Sequence, residues 1–326
     1  MSSSRKNNAK FILRIKRASL FCFGLVFFLF PGQNYYLVIQ ADYKKSPTRF
    51  LNFELPSPSL YPLNYTGQKP PLLTAKSAVV MDKNSSVVIY AKNENLWVLP
   101  ASTVKIMTAL VALDYYRPED ILTVGEISDF GQTMKLVVGE RITVENLLYG
   151  LLVASANDAA LVLAQNYPGG QKAFVTAMNR KAAILNLGNT YFANPTGLDS
   201  DEEGNLLADF SYTTALDLAR LAAEAFKNPL FSQIVKTEKI TVTDVSGKIS
   251  HQLFNINQLL GKVEGLKGGK TGWTEEAGEC FVAYTEKENR GIITVVLGSQ
   301  DRFGETKRLI DWVFTNYRWV EVIPSI

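Results

Sequence analysis

Two cysteines and one histidine in 326 residues set the first limits on this chain. Cys22 lies in an apolar segment near the N-terminus and Cys280 far downstream, so an intramolecular disulfide is topologically excluded and stability has to come from a core. With His251 the only imidazole, no histidine and cysteine ligands are spaced for a zinc cluster, which disfavours metal-assisted hydrolysis. Acidic residues are absent from the first seventeen positions, where Arg5, Lys6, Lys10, Arg14, Lys16 and Arg17 stand without a counter-charge. Charge of either sign is absent from Ala18 to Ala41. Setting those six cations aside leaves 28 basic against 31 acidic residues, so the formal +3 marks membrane topology and gives no sign of a nucleic-acid partner. Internal repeats and low-complexity tracts are also missing, and 47% hydrophobic with 20% charged content is ordinary for a globular protein with one apolar extra.

That extra is at the start. Leu20–Phe30 has the length of a signal-peptide core, Pro31-Gly32 would break a helix, and Tyr35–Ile39 extends the uncharged stretch toward a bilayer span. The flanks fit a retained anchor and a cleaved signal alike, with Ile39-Gln40-Ala41 a poor cleavage site. Ser19-Leu20-Phe21 before Cys22 lacks the small residue that lipoprotein processing wants. Either way the basic tail stays inside and the rest is exported, to the outer face of the cell membrane or into the medium. Residues 1–41 therefore read as a basic tail plus a signal or anchor segment. From Asp42 to about Thr74 the run of Pro47, Pro56, Pro58, Pro62, Pro70 and Pro71 without apolar periodicity reads as a semi-extended linker, leaving residues 75–326 as the globular domain.

Within the domain, Ser77–Met81 and Val87–Ala91 flank a turn and predict a β-hairpin. A helix is predicted from Ser102, after Pro100, with Ile106, Ala109, Leu110 and Leu113 on one face. Thr143 opens a capped apolar helix ending at Ser155, Asp158–Gln165 begins the next, and Gln171–Leu185 and Thr213–Phe226 follow. The last third changes period: Lys239–Val245, Gly265–Thr271, Glu279–Thr285 and Gly291–Leu297 predict strands, and Thr306–Tyr317 an amphipathic helix. Strands at both ends with helices between predict an α/β domain of the α+β type, one antiparallel sheet completed by the two ends of the domain.

Three short words carry the chemistry: Ser102-Thr-Val-Lys105, Ser155-Ala-Asn157 and Lys270-Thr271-Gly272, in that order. Ser102 and Lys105 share a helix face about 5–6 Å apart at Cβ, near N–H groups that favour negative charge on oxygen. Alone, the pair reads as a capping serine followed by a solvated lysine. Val104, Ile106 and Met107 around Lys105 point instead to a buried amine, which burial or a second cation such as Lys270 would push toward neutrality and basicity. Ser155 and Asn157 also have a bland reading, a helix end followed by a cap. In a tight loop they can supply a proton-relaying hydroxyl and an amide for a substrate peptide group. Lys270 and Thr271 can bind a carboxylate, Gly272 allows close backbone approach, and the N–H of Trp273 can pair with that of Ser102 as an oxyanion hole. The ordered triplet is the inventory that acyl transfer through a serine ester needs, with no cofactor. A phosphate loop at 265–271 fails because Glu264 replaces its first glycine and a strand is predicted where it needs a helix. A serine-histidine-acid triad would have to recruit His251, which reads as a loop or strand residue.

With these words in place the chain resembles the low-molecular-mass penicillin-binding proteins, the serine D-alanyl-D-alanine carboxypeptidases that β-lactams acylate. Pro100–Thr108, Val138–Leu148, Ser155–Ala160, Asn194-Pro-Thr-Gly-Leu198, Asn255–Leu260 and Lys267–Thr274 all resemble that family, over roughly residues 75–318. The resemblance implies a fold shared with serine β-lactamases, with the cleft between sheet and helices. It implies Ser102 as nucleophile, Lys105 as base, Ser155 as proton shuttle, and Lys270 with Thr271 as the site of the terminal carboxylate. The implied partners are a peptidoglycan stem peptide ending in D-Ala-D-Ala and β-lactams as covalent inhibitors, with the membrane met through the N-terminal segment. Two departures stand out. The sequence ends soon after Trp312, where the family usually continues into a β-domain and a membrane helix. The rim between Leu198 and Thr213 carries Asp199, Asp201, Glu202, Glu203 and Asp209 and lacks the histidine of some relatives. A D,D-endopeptidase or a β-lactamase is the alternative enzyme. The second lacks a Glu-x-x-Leu-Asn word between Asn157 and Lys270. A non-catalytic wall-binding relative is disfavoured by the intact Ser102, Lys105, Ser155 and Lys270.

Overall fold

The computed structural model describes residues 60–127, 130–200, 203, 205 and 207–321. The uncharged N-terminal segment and most of the linker lie outside the described residues, as do Asp201 and Glu202 of the rim. In chain order the first elements are β1 (Leu60–Asn64), β2 (Ser77–Asp82), β3 (Val88–Lys92), a 3₁₀ turn (Ala101–Val104), α1 (Lys105–Tyr115), β4 (Ile121–Thr123), β5 (Arg141–Thr143) and α2 (Val144–Val153). Then follow α3 (Asn157–Gln165), α4 (Gly170–Ile184), α5 (Ala215–Ala225), α6 (Pro229–Val235), β6 (Lys239–Thr243) and β7 (Ser250–Phe254). The last are β8 (Leu266–Thr274), β9 (Gly278–Lys287), β10 (Arg290–Ser299), α7 (Arg302–Asn316) and β11 (Tyr317–Glu321). Among these no helix is long and apolar enough to cross a membrane.

Five strands form one antiparallel sheet in the order β3-β2-β10-β9-β8, so both ends of the domain meet in its middle and β8 is an edge. The central strands are apolar on both faces, and their two-residue alternation sorts the side chains into two cores. Val79 and Met81 of β2, Val282 of β9, and Ile293 and Val295 of β10 join the core built with the alanine-rich face of α5 and with α1 to α4. Their neighbours Ala78, Val80, Phe281, Ala283, Ile292 and Val296 pack against Leu309, Ile310 and Val313 of α7. A sheet covered by helices on both faces is thus written into the strand sequence itself. The expected α/β domain, an antiparallel sheet flanked by helices, is the one observed.

Three local expectations are corrected. Leu60–Asn64, placed in the linker, is a strand paired with β11 in register Leu60↔Glu321 to Asn64↔Tyr317, so the folded region begins before residue 75. Pro62 is tolerated there because the ribbon has two strands and a free edge. The segment at Ser102 opens with the 3₁₀ turn, and the α-helix starts at Lys105. Lys239–Thr243 is a strand but pairs only with β7, outside the main sheet.

Candidate active site

The cleft lies where edge strand β8 passes the 3₁₀ turn. Gly272 makes that passage possible: a Cβ there would stand 3.0 Å from the Ser102 nitrogen and 3.1 Å from Pro100 O. Ala101 adopts φ 47° to enter the turn, and Gly197, at φ 83°, lies so close that a Cβ would come within 2.1 Å of Ala101 O. Neither Ser102 nor any other side chain caps the turn or α1, so the capping reading of Ser102 does not apply. Its hydroxyl is instead 2.8 Å from Lys105 Nζ.

Lys105 is fully buried, and its Nζ also lies 2.7 Å from Asn157 Oδ1 and 2.7 Å from Thr196 O. Both of those oxygens can only accept, so they take two N–H groups. As an ammonium the nitrogen donates its third N–H to Ser102. As a neutral amine it turns a lone pair to the Ser102 hydroxyl and can receive its proton. Burial pushes this lysine down to about 7, against the opposing pull of the Asp158 carboxylate.

Ser155 and Asn157 sit between α2 and α3. Ser155 takes φ 59°, and Asn157 is the first residue of α3 behind Ala156, so its side chain makes no cap. Asn157 Nδ2 donates to Phe130 O at 3.0 Å, and its main-chain N–H donates to Gln132 O. Ser155 Oγ lies 2.7 Å from Lys270 Nζ, which also donates to Thr271 O at 2.8 Å. Two hydrogen-bonded groups, Ser102–Lys105–Asn157 and Ser155–Lys270, are therefore joined through the short chain segment 155–157. Lys270 is held well below an ordinary lysine by burial first, then by Lys105 and Arg302. Thr271 and Gly272 are buried beside it, while the Trp273 side chain is 61% exposed at the mouth. All eight sequence-selected residues thus fall on the two walls of one cleft.

Sequence reading missed four contributors. Thr196 acts through a carbonyl, to which side-chain reasoning is blind, although Asn194-Pro-Thr-Gly-Leu198 marked its segment. Asp158 accepts the N–H of Met134 and Leu136 beside Asn157. Arg302, from the start of α7, donates to Gly272 O at 2.8 Å and adds a third cation. Asp199 of the rim accepts from Thr274 Oγ1 at 2.6 Å at the far end of β8. Lysines, hydroxyls, an amide and an arginine make a donor set for an anion, and among the described residues no group of three or more carboxylates, imidazoles or thiols gathers to suit a metal ion.

The chain is similar to known proteins in sequence and in fold. The description of the D-alanyl-D-alanine carboxypeptidase family matches residues 64–301. A D-alanyl-D-alanine endopeptidase of Pseudomonas aeruginosa is 37% identical over 261 residues, 78% of this chain and 81% of that protein. The D-alanyl-D-alanine carboxypeptidase DacF of Bacillus subtilis is 34% identical over 253 residues, 74% of this chain and 63% of the longer relative. The crystal structure of the Streptomyces K15 DD-transpeptidase superposes with a TM-score of 0.70 at 30% identity, covering 76% of this chain and all of that one. With the match spanning more than half the sequence and the cleft assembled from its own residues, the chain belongs to the D-alanyl-D-alanine carboxypeptidase family of serine peptidases.

Proposed function

We propose that the protein removes the terminal D-alanine from peptidoglycan stem peptides through an acyl-serine intermediate, and that penicillins acylate the same serine. The observation that carries this reading is the placement of Lys105 Nζ, with two carbonyl acceptors fixing its N–H groups and Ser102 Oγ at 2.8 Å on the remaining side. Neutral Lys105 takes the Ser102 proton as Oγ bonds to the carbonyl carbon of the penultimate D-alanine. The N–H groups of Ser102 and Trp273 hold the developing oxyanion. As the C–N bond breaks, the proton on Lys105 passes by way of Ser155 to the departing D-alanine amine. Water then attacks the ester, restoring the Ser102 hydroxyl and releasing the shortened peptide as its acid. Asn157 holds the substrate's peptide group. Lys270, Thr271 and Arg302 receive the terminal carboxylate, whose negative charge favours the ammonium form of Lys270 against the burial, and then the neighbouring Lys105 and Arg302, that hold it well below an ordinary lysine.

The basic tail and the uncharged segment support a location outside the cell membrane with the N-terminus inside, tethered through the linker if the segment is retained. A cross-linked peptide differs from a free one only in the leaving group, and the Pseudomonas relative carries the endopeptidase name. D,D-endopeptidase action is therefore the second reading. Incubation with monomeric and cross-linked muropeptides decides between them: release of free D-alanine from the monomer is expected to dominate. The Ser102→Ala variant should lose both release and covalent penicillin labelling. A folded wild-type protein that releases no D-alanine and leaves cross-links intact would sink both readings.

A further inference from the structure

The only histidine in the chain is 5% exposed on β7, outside the cleft, and both of its ring nitrogens are engaged. His251 Nδ1 is 2.8 Å from Met134 O, and Nε2 is 2.8 Å from Glu140 Oε1. A carbonyl can only accept, so Nδ1 carries a proton. An ionised Glu140 can only accept as well, so a further proton has to lie between Nε2 and Oε1. The other Glu140 oxygen accepts the N–H of Val137 at 3.0 Å. Glu140 is 3% exposed, so this pair is closed off from water.

What the pair holds is the strip of chain behind Asn157. The peptide at Met134 is gripped from both sides, its N–H by Asp158 at 3.0 Å and its carbonyl by His251. Leu136 N–H donates to the same Asp158 carboxylate at 3.1 Å. Two residues before Met134, Gln132 O accepts the Asn157 main-chain N–H, and Phe130 O accepts the Asn157 amide. Gly131 lies against that amide so closely that a Cβ would stand 2.7 Å from Nδ2. The Met134 side chain packs over Gly150 of α2, the helix that leads to Ser155. Asn157 in turn fixes Lys105 through Oδ1.

We propose that His251 and Glu140 are positioning residues for acyl transfer: their shared proton clamps residues 130–140 and thereby holds the Asn157 amide in line with Lys105. The inference rests on the acyl-serine reading above. Removing the clamp leaves the cleft's own side chains intact and lets the amide drift, and misplacement of about 1 Å can lower a rate by as much as a hundredfold. Binding of the terminal carboxylate, at the Lys270 end, is left in place.

A double-mutant cycle in the full-length chain tests this. His251→Phe and Glu140→Leu should each slow acylation by labelled penicillin about tenfold, with little change in KM for a D-Ala-D-Ala peptide. Glu140→Gln should stay within about twofold of wild type, because its amide can donate to Nε2 while its oxygen still accepts from Val137. In an Asn157→Ala background His251→Phe should add almost nothing, since the group it positions is gone. Full additivity there, or a tenfold loss in Glu140→Gln, would overturn the proposal. A role confined to stability would shift the melting temperature and leave the two losses additive. Histidine-selective ¹⁵N labelling reads the clamp without any activity: the single imidazole should carry its proton on Nδ1, and a bare Nδ1 refutes the geometry. A wild-type protein that penicillin never labels would remove the acyl-serine reading while this spectroscopic result still stood or fell alone.

Discussion

A lysine surrounded by apolar side chains has to lose either its charge or its neighbours, and Lys105 loses part of its charge. Burial brings it to about 7, so at neutral pH about half of the molecules carry the lone pair that Ser102 needs. Because the base works unprotonated, acylation by penicillin should rise with pH, close to tenfold per unit below about 7, and level off above it. A rate flat between pH 5 and 8 would exclude Lys105 as the base. Lys105→Arg keeps the cation but not the lone pair, since guanidinium stays protonated in proteins, and a loss of about 10²–10⁴-fold is expected. Gly197 offers a second test at this scale. An alanine there would set a methyl group 2.1 Å from Ala101 O, backbone against side chain with nothing flexible to yield. Gly197→Ala should therefore displace the Ser102 turn and reduce penicillin labelling more than it lowers thermal stability.

Residue types were the most legible part of the sequence, because Ser-x-x-Lys, Ser-x-Asn and Lys-Thr-Gly each announce a side-chain function at fixed spacing. Illegible were groups that act through the backbone, such as Thr196 O, and groups brought from far away, such as Arg302, thirty residues beyond Gly272. His251 belongs with these: in sequence it reads as a loop or strand residue, and its partners Met134 and Glu140 lie 117 and 111 residues distant.

Elements follow the same division between local and distant causes. The helix at 144–153 was readable because Thr143 accepts from the Asn146 N–H at 3.3 Å, as a capping threonine should, and because Leu147, Leu148, Leu151 and Leu152 are all buried. Thr143→Ala should cost about 1 kcal/mol of stability. Since α2 ends more than two turns away at the Ser155 loop, acylation by penicillin should stay unchanged, and chemical denaturation beside a labelling assay checks both. The strands of the main sheet were readable from alternation, whereas the short strands β1, β4, β5, β7 and β11 were not, nor was it readable which strand stays outside the sheet. Nothing local separates Lys239–Thr243, which pairs only with its hairpin neighbour, from β9, which sits inside a five-stranded sheet. The pairing of β1 with β11 spans most of the domain and is decided by tertiary contacts such as the buried Trp319 Nε1 bond to Asp82 Oδ1 at 2.7 Å.

For the molecule as a whole, the two buried lysines make the folded state pay for its chemistry in a way that pH exposes. Both are depressed in the native protein, Lys105 to about 7 and Lys270 well below its ordinary value, from the 10.5 each has in an unfolded chain. Between those limits the unfolded chain binds protons that the native one refuses, so stability should rise as pH increases from about 7 and fall as pH is lowered toward it. Each lysine contributes a slope of about 1.4 kcal/mol per pH unit while it is neutral in the native state and charged in the unfolded one. Below about 7 native Lys105 also takes up its proton and its share of the slope disappears. Denaturant midpoints at pH 7, 8 and 9 should therefore climb for the wild-type chain. Lys105→Met and Lys270→Met should each flatten the climb and raise stability at pH 7, while abolishing penicillin labelling or weakening peptide turnover. Substitution of either lysine that left the pH slope untouched would mean that the ammonium is solvated in the native state, and that the cleft does not hold its base in the neutral form that acyl transfer requires.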